Sequence, residues 1–302
     1  MNRFNVSRRF FTSAALAACL PAAARSGHEV GVQLYTVRDI VLSKPAETLG
    51  AIAAMGYREV EVLRDELVVL APHLKATGLR AVGMHFETPL ITGNFDAWKR
   101  AEMPPIKPAG VRFEDVIALA REHGVEYVVF NYLTPEERLG LDFYRQLAQK
   151  LNAAAAQCHK QGVRFAYHNH DFEFEPQGSQ RPIDVLLEHL DPKLVRLEVD
   201  TFWVAMAGVD AAAFLKANAG RIDLVHVKDR APGTPIHYDI ATVPDSTYRE
   251  LGNGDLPLPQ ILDAAVEAGA RHFFIEQDYS ADPLASLRQS YAYLRRIGFV
   301  SS

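Results

Sequence analysis

The sequence is poor in cysteine, carries no excess of basic charge and has few long apolar runs. Two cysteines occur in 302 residues, Cys19 and Cys158, which argues against a structural zinc site built from thiolates. Lys and Arg number 32 against 37 Asp and Glu, for a formal net charge of -5. Because these charges are scattered and form no basic stripe, we expect no nucleic-acid partner.

The apolar run at the N-terminus is too short to anchor the chain permanently in a bilayer. Arg8 and Arg9 precede an apolar stretch over residues 10–20, and an A-x-A site follows at residues 22–24. This layout is typical of a cleaved export signal, and the paired arginines resemble a twin-arginine signal. We therefore predict a signal peptide over residues 1–24, no transmembrane segment and a periplasmic or otherwise exported mature protein.

The two cysteines bear on how the chain is processed. The segment LAAC ending at Cys19 resembles a lipoprotein processing box, so a lipid anchor on Cys19 is an alternative to cleavage after Ala24. After cleavage at Ala24, Cys158 is the single cysteine left and no disulfide can form within the chain. Cys158 lies on a helical pattern, and we expect it to be a buried apolar residue.

Downstream of the signal the chain alternates short β-branched runs with amphipathic helical patterns. Glycines such as Gly124 and Gly162 stand just before several of the runs, where helix C-termini favour them. Eight β/α units predict a single-domain (β/α)8 TIM barrel over residues 29–299, because a doubly wound sheet usually has fewer strands. The candidate strands are Val30–Tyr35, Arg58–Leu63, Leu79–Phe86, Val125–Asn131, Val163–His170, Leu194–Asp200, Ile222–Lys228 and His272–Asp278.

Polar side chains mark the carboxyl ends of these strands. In a barrel the last inward residue of each strand lies at the mouth, where active sites are built. Two histidines, an aspartate and a glutamate at one mouth can bind a divalent cation, for which Mn, Co, Zn, Fe and Mg all qualify. The alternative is a hydrogen-bonded polar cleft without metal. The polar mouth positions include Glu61, His85, His168, Asp200, His226 and Glu276.

Three motifs follow one another in strands six to eight. They read LEVDTF at 197–202, HVKDR at 226–230 and FIEQD at 274–278. Their order and spacing resemble the xylose isomerase-like TIM barrel superfamily of sugar isomerases, sugar epimerases and inosose dehydratases. This resemblance implies that Asp200, His226 and Glu276 are metal ligands. The superfamily also includes a three-zinc DNA-repair nuclease, but Trp203 stands where that enzyme needs a further histidine.

Strand five departs from the superfamily pattern. Where the epimerases carry a glutamate that is both ligand and acid/base, the segment YHNH at 167–170 places His168. We predict His168 as the fourth ligand, with His170 further out and facing the substrate. A site with two carboxylates rather than three would be nearly neutral, which makes its cation a stronger Lewis acid. The substitution argues against simple two-glutamate epimerisation.

Several other residues are predicted to serve the site. Lys228 could stabilise a developing oxyanion or could pair with Glu276 or Asp278. Glu173 is expected to be solvated. The predicted substrate contacts, each of which could instead be a structural residue, are Glu61, His85, His170 and Trp203.

The resulting hypothesis is a metal-dependent isomerase or epimerase acting on a small sugar or keto-sugar. Glu276 would be the general base next to a carbonyl, with His168 or Lys228 on the opposite face. One alternative is a lyase acting on a 3-keto-glycoside or an inosose through the same site. Another alternative is a periplasmic sugar-binding protein that catalyses nothing.

Overall fold

The computed structural model describes residues 27–138 and 140–301. Eight parallel strands close into a barrel in the order β1-β10-β7-β6-β5-β4-β3-β2, which confirms the predicted (β/α)8 fold. The predicted signal peptide, with Arg8, Arg9 and Cys19, lies outside the described residues. The barrel strands are β1 Gly31–Gln33, β2 Glu59–Leu63, β3 Arg80–Phe86, β4 Tyr127–Phe130, β5 Arg164–His168, β6 Val195–Asp200, β7 Ile222–Val227 and β10 His272–Ile275.

Helices follow the strands and cover the outside of the barrel. In α6 the buried residues Phe113, Val116, Ile117 and Ala120 have the spacing of one helix face, and the helix ends at Gly124 in the left-handed conformation. Cys158 is free and buried in α7, as expected. The helices are α1 Arg38–Val41, α2 Pro45–Met55, α3 Arg64–Thr77, α4 Pro89–Thr92, α5 Phe95–Arg100, α6 Phe113–His123, α7 Leu141–Lys160, α8 Pro182–His189, α9 Thr201–Met206, α10 Ala211–Ala217, α11 Leu258–Ala268 and α12 Pro283–Arg296.

The barrel interior changes character along its axis. Its lower part is a small apolar cluster, and a much larger apolar core lies between strands and helices. Further along the strands the inward positions become polar. The lower cluster consists of Val82, Tyr127, Val129, Ala166, Leu224 and Phe274.

Several predicted strands end earlier in the structure than in the sequence pattern. Strand β5 ends at His168 and β10 ends at Ile275, so His170 and Glu276 lie just beyond the ladder. Lys228 likewise follows β7, which ends at Val227. These residues therefore begin the loops of the carboxyl-terminal face, although the backbone N–H of Glu276 still donates to the Val227 carbonyl at 3.3 Å.

The connection between β7 and α11 is organised around one buried aspartate. It contains the antiparallel ribbon of β8, Asp229–Arg230, and β9, Tyr248–Arg249. One Asp229 oxygen accepts the backbone N–H groups of Gly252 and Gly254, and its other oxygen accepts those of Arg230 and Leu256. The carboxylate thus stabilises a loop that otherwise has little regular structure. Within the described ranges, no helix combines the length and the apolarity needed to cross a membrane.

Candidate metal centre and active site

Two groups of potential metal ligands meet at the barrel mouth, and His226 belongs to both. We call Asp200, His226 and Glu276 the outer cluster, and His85, His168, Glu198 and His226 the inner cluster. Within each cluster the ligand atoms lie within 4.8 Å of one another, and every member is buried. The two ring nitrogens of His226 face opposite ways. Nδ1 lies 2.8 Å from Glu276 Oε2, whereas Nε2 lies 3.5 Å from Glu198 Oε2.

The position of Asp200 is set by the helix that follows it. Its Oδ1 accepts the backbone N–H groups of Phe202 and Trp203 and so caps α9. Pairing of β6 with β7 places Asp200 beside His226. The second oxygen, Oδ2, is buried and forms an ion pair with Lys228 Nζ at 3.0 Å, while His226 Nδ1 lies 3.8 Å away. One oxygen is therefore held by the start of α9, and the other faces the remaining groups of the cluster.

Lys228 connects the outer cluster to a third carboxylate. Its Nζ lies 2.8 Å from Glu276 Oε2, 2.8 Å from Asp278 Oδ2 and 3.0 Å from Asp200 Oδ2. The side chain is only 2% exposed, so this ammonium is nearly removed from water and is compensated by its three neighbours. Lys228 thus pairs with Glu276 and Asp278, which is one of its two predicted roles. Because it also borders the outer cluster, its other predicted role, stabilisation of an oxyanion, stays a prediction.

Burial and charge act in opposite directions on the outer cluster. Burial raises the pKa of Asp200 to about 6, although Lys228 and His226 counteract it. Burial also acts to raise the pKa of Glu276, but the positive charges of Lys228 and His226 hold that pKa well below its usual range. Glu276 therefore remains a carboxylate at neutral pH, and at 7% exposure it lies nearer to solvent than the fully buried Asp200.

The inner cluster lies deeper because Glu198 precedes Asp200 by two residues on the same strand face. Glu198 Oε2 is 3.0 Å from His85 Nε2 and 3.0 Å from His168 Nδ1. Glu61 completes this side, since its Oε2 is 3.0 Å from His85 Nε2 and 2.7 Å from His226 Nε2. Glu198 and Glu61 are both fully buried. Three imidazoles and two carboxylates therefore fill the barrel below the outer cluster.

Room for Glu61 is provided by a glycine on the neighbouring strand. Gly83 pairs with Glu61 in the ladder between β2 and β3, and a Cβ at Gly83 would overlap the Glu61 carboxylate. On its other side Glu61 accepts a hydrogen bond of 2.8 Å from the amide of Gln33. These contacts are with protein groups, and a contact of Glu61 or His85 with substrate stays a prediction.

His168 lies between the two clusters. Its Nδ1 contacts Glu198, and its Nε2 is 3.9 Å from Asp200 Oδ2. Burial lowers the pKa of His168 to about 3 even though Glu198 counteracts the effect, so the ring is neutral and available as a ligand. The prediction that His168 is the fourth metal ligand beside Asp200, His226 and Glu276 stays a prediction. His168 groups with the inner cluster instead.

The predicted near-neutral charge of the site stays a prediction. That estimate counted Asp200 and Glu276 alone, whereas the structure brings three further carboxylates to the same space. Lys228, His85 and His226 are the cations opposite them, since burial acts to lower their pKa values but the neighbouring carboxylates raise them. Pairs such as His226 and Glu61 stand 165 residues apart in the chain, so no local pattern could have revealed the contact. The additional carboxylates are Glu61, Glu198 and Asp278.

His170 and Trp203 lie together at the edge of the outer cluster. Their ring centroids are 5.7 Å apart, and the Trp203 ring lies 5.3 Å from Lys228 Nζ. His170 Nδ1 and Trp203 Nε1 are buried polar atoms without a hydrogen-bond partner. Burial also lowers the pKa of His170 well below its usual value. The contact of His170 and Trp203 with substrate stays a prediction.

Glu173 is not solvated as expected but is 1% exposed. Its carboxylate accepts hydrogen bonds from Tyr167 Oη at 2.7 Å and from the backbone N–H of His170 at 2.9 Å. A short 3-10 turn over Phe172–Phe174 folds the acid back under the strand end. Glu173 therefore supports the backbone that carries His170.

The outer cluster suits a divalent cation on the chemistry of its donors. Two carboxylates and one imidazole match Mn, Co, Zn, Fe or Mg, and the three ligand atoms lie within 4.8 Å of one another. The sequence of the chain decides the family in which this arrangement should be placed. The family described as xylose isomerase-like TIM barrel matches residues 49–297. The chain belongs to this family.

Individual curated proteins resemble this chain over only part of its length. The inosose dehydratase of Lactiplantibacillus plantarum is 28% identical over 172 residues, which cover 52% of this chain and 52% of that protein. The match thus spans about half the length of the curated relative. That relative is a dehydratase.

Solved structures share the fold over almost the whole chain. A sugar phosphate isomerase/epimerase from Parabacteroides distasonis has a TM-score of 0.72 at 21% identity and covers 91% of this chain and 96% of its own. A structure of the IOLI protein with a bound zinc atom has a TM-score of 0.66 at 15% identity and covers 89% and 98%. At these identities the likeness is one of fold.

Proposed function

We propose that this family member is a metal-dependent enzyme that removes a proton next to the carbonyl of a small sugar or keto-sugar. Its first candidate reaction is isomerisation. The observation that carries the proposal is Glu276, a buried carboxylate held ionised by Lys228 at the rim of a ligand cluster. An ionised carboxylate at the rim can accept a proton from a bound substrate as a general base.

A divalent cation would be held by Asp200, His226 and Glu276, where it would polarise a carbonyl and stabilise negative charge on oxygen. The zinc atom in the IOLI structure supports the presence of a cation in this fold. Its identity is left open among Mn, Co, Zn, Fe and Mg.

The geometry favours isomerisation over epimerisation. Moving a proton between adjacent carbons on one face needs one base, and Glu276 can both remove and return it. Inverting one carbon needs a second group on the opposite face. His168 would be that group, but its Nδ1 is engaged with Glu198 and burial keeps its pKa near 3, so it is a poor proton donor.

Lys228, His170 and Trp203 would bind the substrate. The Lys228 ammonium lies between three carboxylates at the rim and can stabilise an oxyanion that forms there. His170 Nδ1 and Trp203 Nε1 have no hydrogen-bond partner. The His170 nitrogen can accept from or donate to a substrate hydroxyl group, and the Trp203 N–H can donate to one. Such convergent polar atoms around an aromatic surface suit a small polyol.

Elimination is the second candidate, and the same single base favours it. After proton removal by Glu276, loss of a β-hydroxyl from an inosose or of an alkoxide from a 3-keto-glycoside needs no group on the opposite face. The inosose dehydratase of L. plantarum supports this second reading. Lys228 could protonate the leaving group.

The test is a panel of aldoses, ketoses, inososes and 3-keto-glycosides incubated with cation-loaded protein in D2O and followed by NMR. We expect deuterium next to a carbonyl in wild type and its loss in Glu276→Gln. Isomer formation supports the first candidate, and an unsaturated product supports the second. Binding without exchange or product from any compound would refute both and leave a sugar-binding protein. Glu175→Gln, which changes an exposed glutamate, is the matched control.

A further inference from the structure

The inner cluster has the composition and dimensions of a second cation site. Three imidazoles and a carboxylate form a ligand set for Zn, Co, Fe or Mn. With metal–ligand bonds of about 2.0–2.2 Å, the corners of a tetrahedral site are about 3.3–3.6 Å apart. Glu198 Oε2 lies 3.0 Å from His85 Nε2, 3.0 Å from His168 Nδ1 and 3.5 Å from His226 Nε2. These three distances are close to that geometry, and all four ligand atoms lie within 4.8 Å of one another.

Unpartnered oxygens in the same place are an independent sign of a ligand. Glu198 is 0% exposed, and its Oε1 has no hydrogen-bond partner. The same holds for Oε1 of Glu61, whose Oε2 contacts His85 and His226. Leaving a buried polar atom without a partner is unfavourable, and more so for a charged group. Two such oxygens beside three imidazoles are what a missing cation would compensate.

His226 allows the inner site to exist together with the outer one. Its Nδ1 faces Glu276 and Asp200, and its Nε2 faces Glu198 and Glu61. One imidazole can bind two cations through its two nitrogens when it loses both protons. The outer carboxylates and the inner carboxylates are thus separated by a single ring.

We propose that this protein binds a second divalent cation below the outer cluster, through His85 Nε2, His168 Nδ1 and Glu198 Oε2, with His226 Nε2 as the shared ligand. Glu61 would stay outside the ligand set and keep its contacts with His85 and His226. The proposal does not rest on the proposed function, because a structural cation at the barrel mouth needs no reaction there. It assigns His168 and His85 to the deeper cation rather than to the substrate.

Cation binding can be counted directly. Chelator-treated mature protein would be loaded with Zn²⁺, freed of excess by gel filtration and analysed by elemental mass spectrometry. We expect two cations per chain in wild type and one in each of His85→Gln and Glu198→Gln. Glu276→Gln should also hold one, and the double variant of His85 and Glu276 none. His159→Gln, on an exposed site in α7, is the control and should keep both.

Spectra of Co²⁺-loaded protein identify which cation is lost. Because the inner set is rich in imidazole, we expect tetrahedral Co²⁺ bands in Glu276→Gln and their loss in His85→Gln. One cation in wild type that vanishes with Glu276→Gln and survives His85→Gln would overturn the proposal. A single cation lost with either variant would also overturn it. A single cation that needs His85 but not Glu276 would uphold the inner site and instead refute the outer one used in the proposed function.

Folding of the variants is monitored by circular dichroism. If His85→Gln fails to fold, Glu198→Gln carries the same test because it removes a different ligand of the same cation. If both unfold, titration of the chelator-treated wild type decides, since two sites give two equivalents of tightly bound Zn²⁺. One equivalent that is lost in Glu276→Gln would overturn the proposal, whereas one equivalent that Glu276→Gln retains would uphold the inner site.

Discussion

Replacing Glu173 by Gln should make the protein more stable at alkaline pH while leaving its stability near pH 4.5 almost unchanged. The carboxyl is 1% exposed and lies between Tyr167 Oη and the backbone N–H of His170. Burial raises the pKa of Glu173 from 4.5 to about 7, although these hydrogen bonds counteract the effect. The folded protein therefore holds this proton more tightly than the unfolded chain does.

The sign and size of the effect follow from that difference in pKa. Because the pKa of Glu173 is raised on folding, its stabilising contribution is complete below pH 4.5 and is lost as the pH rises through about 7. Each pKa unit corresponds to about 1.4 kcal/mol, so the loss amounts to about 3 kcal/mol by pH 8. Gln cannot ionise, yet its oxygen can accept from the His170 N–H and its NH2 group can donate to Tyr167 Oη.

Urea denaturation at pH 4.5 and pH 8 measures this difference. We expect the free energy of unfolding of Glu173→Gln to exceed that of wild type by about 3 kcal/mol at pH 8 and to be close to it at pH 4.5. The control is Glu175→Gln, at an exposed position, which should show no such divergence. Wild-type and Glu173→Gln curves that run parallel across this pH range would refute the assignment of Glu173 as a buried, protonatable group.

Three further predictions concern packing, the long loop and processing. Gly83→Ala should lower the free energy of unfolding by about 1–3 kcal/mol because the added methyl group overlaps a buried carboxylate. Its control, Gly50→Ala, has open space in α2 and should raise the free energy of unfolding by about 0.5–1 kcal/mol. Equal melting temperatures for the two variants would contradict this. Asp229→Asn should speed amide exchange over residues 252–256, and unchanged protection would disprove its organising role. The double substitution Arg8→Lys and Arg9→Lys should block export, as measured by cell fractionation. Continued export would exclude the twin-arginine route.

The architecture and part of the site could be predicted from the sequence alone. Regular alternation of β-branched runs and amphipathic helices predicted the barrel, because strands that are buried on both faces and joined by helices must be parallel. The period of two along a strand then places alternate residues inside and the last of them at the mouth. This reasoning brought Asp200, His226 and Glu276 to one end of the fold, where the structure has them within 4.8 Å.

Only the tertiary structure decided which of the polar residues touch one another. His85 and Glu198 meet across 113 residues of chain, and His226 and Glu61 across 165, so their contacts depend on the closure and stagger of the barrel rather than on any local spacing. The same closure turned Nδ1 of His168 toward Glu198 and divided the mouth into two clusters. Glu173 was misjudged because its polar type suggested solvent, whereas a short turn after the strand buries it against Tyr167. Sequence periodicity specifies a residue's face and depth, but the partner that faces it across a closed barrel comes from strands far away in the chain.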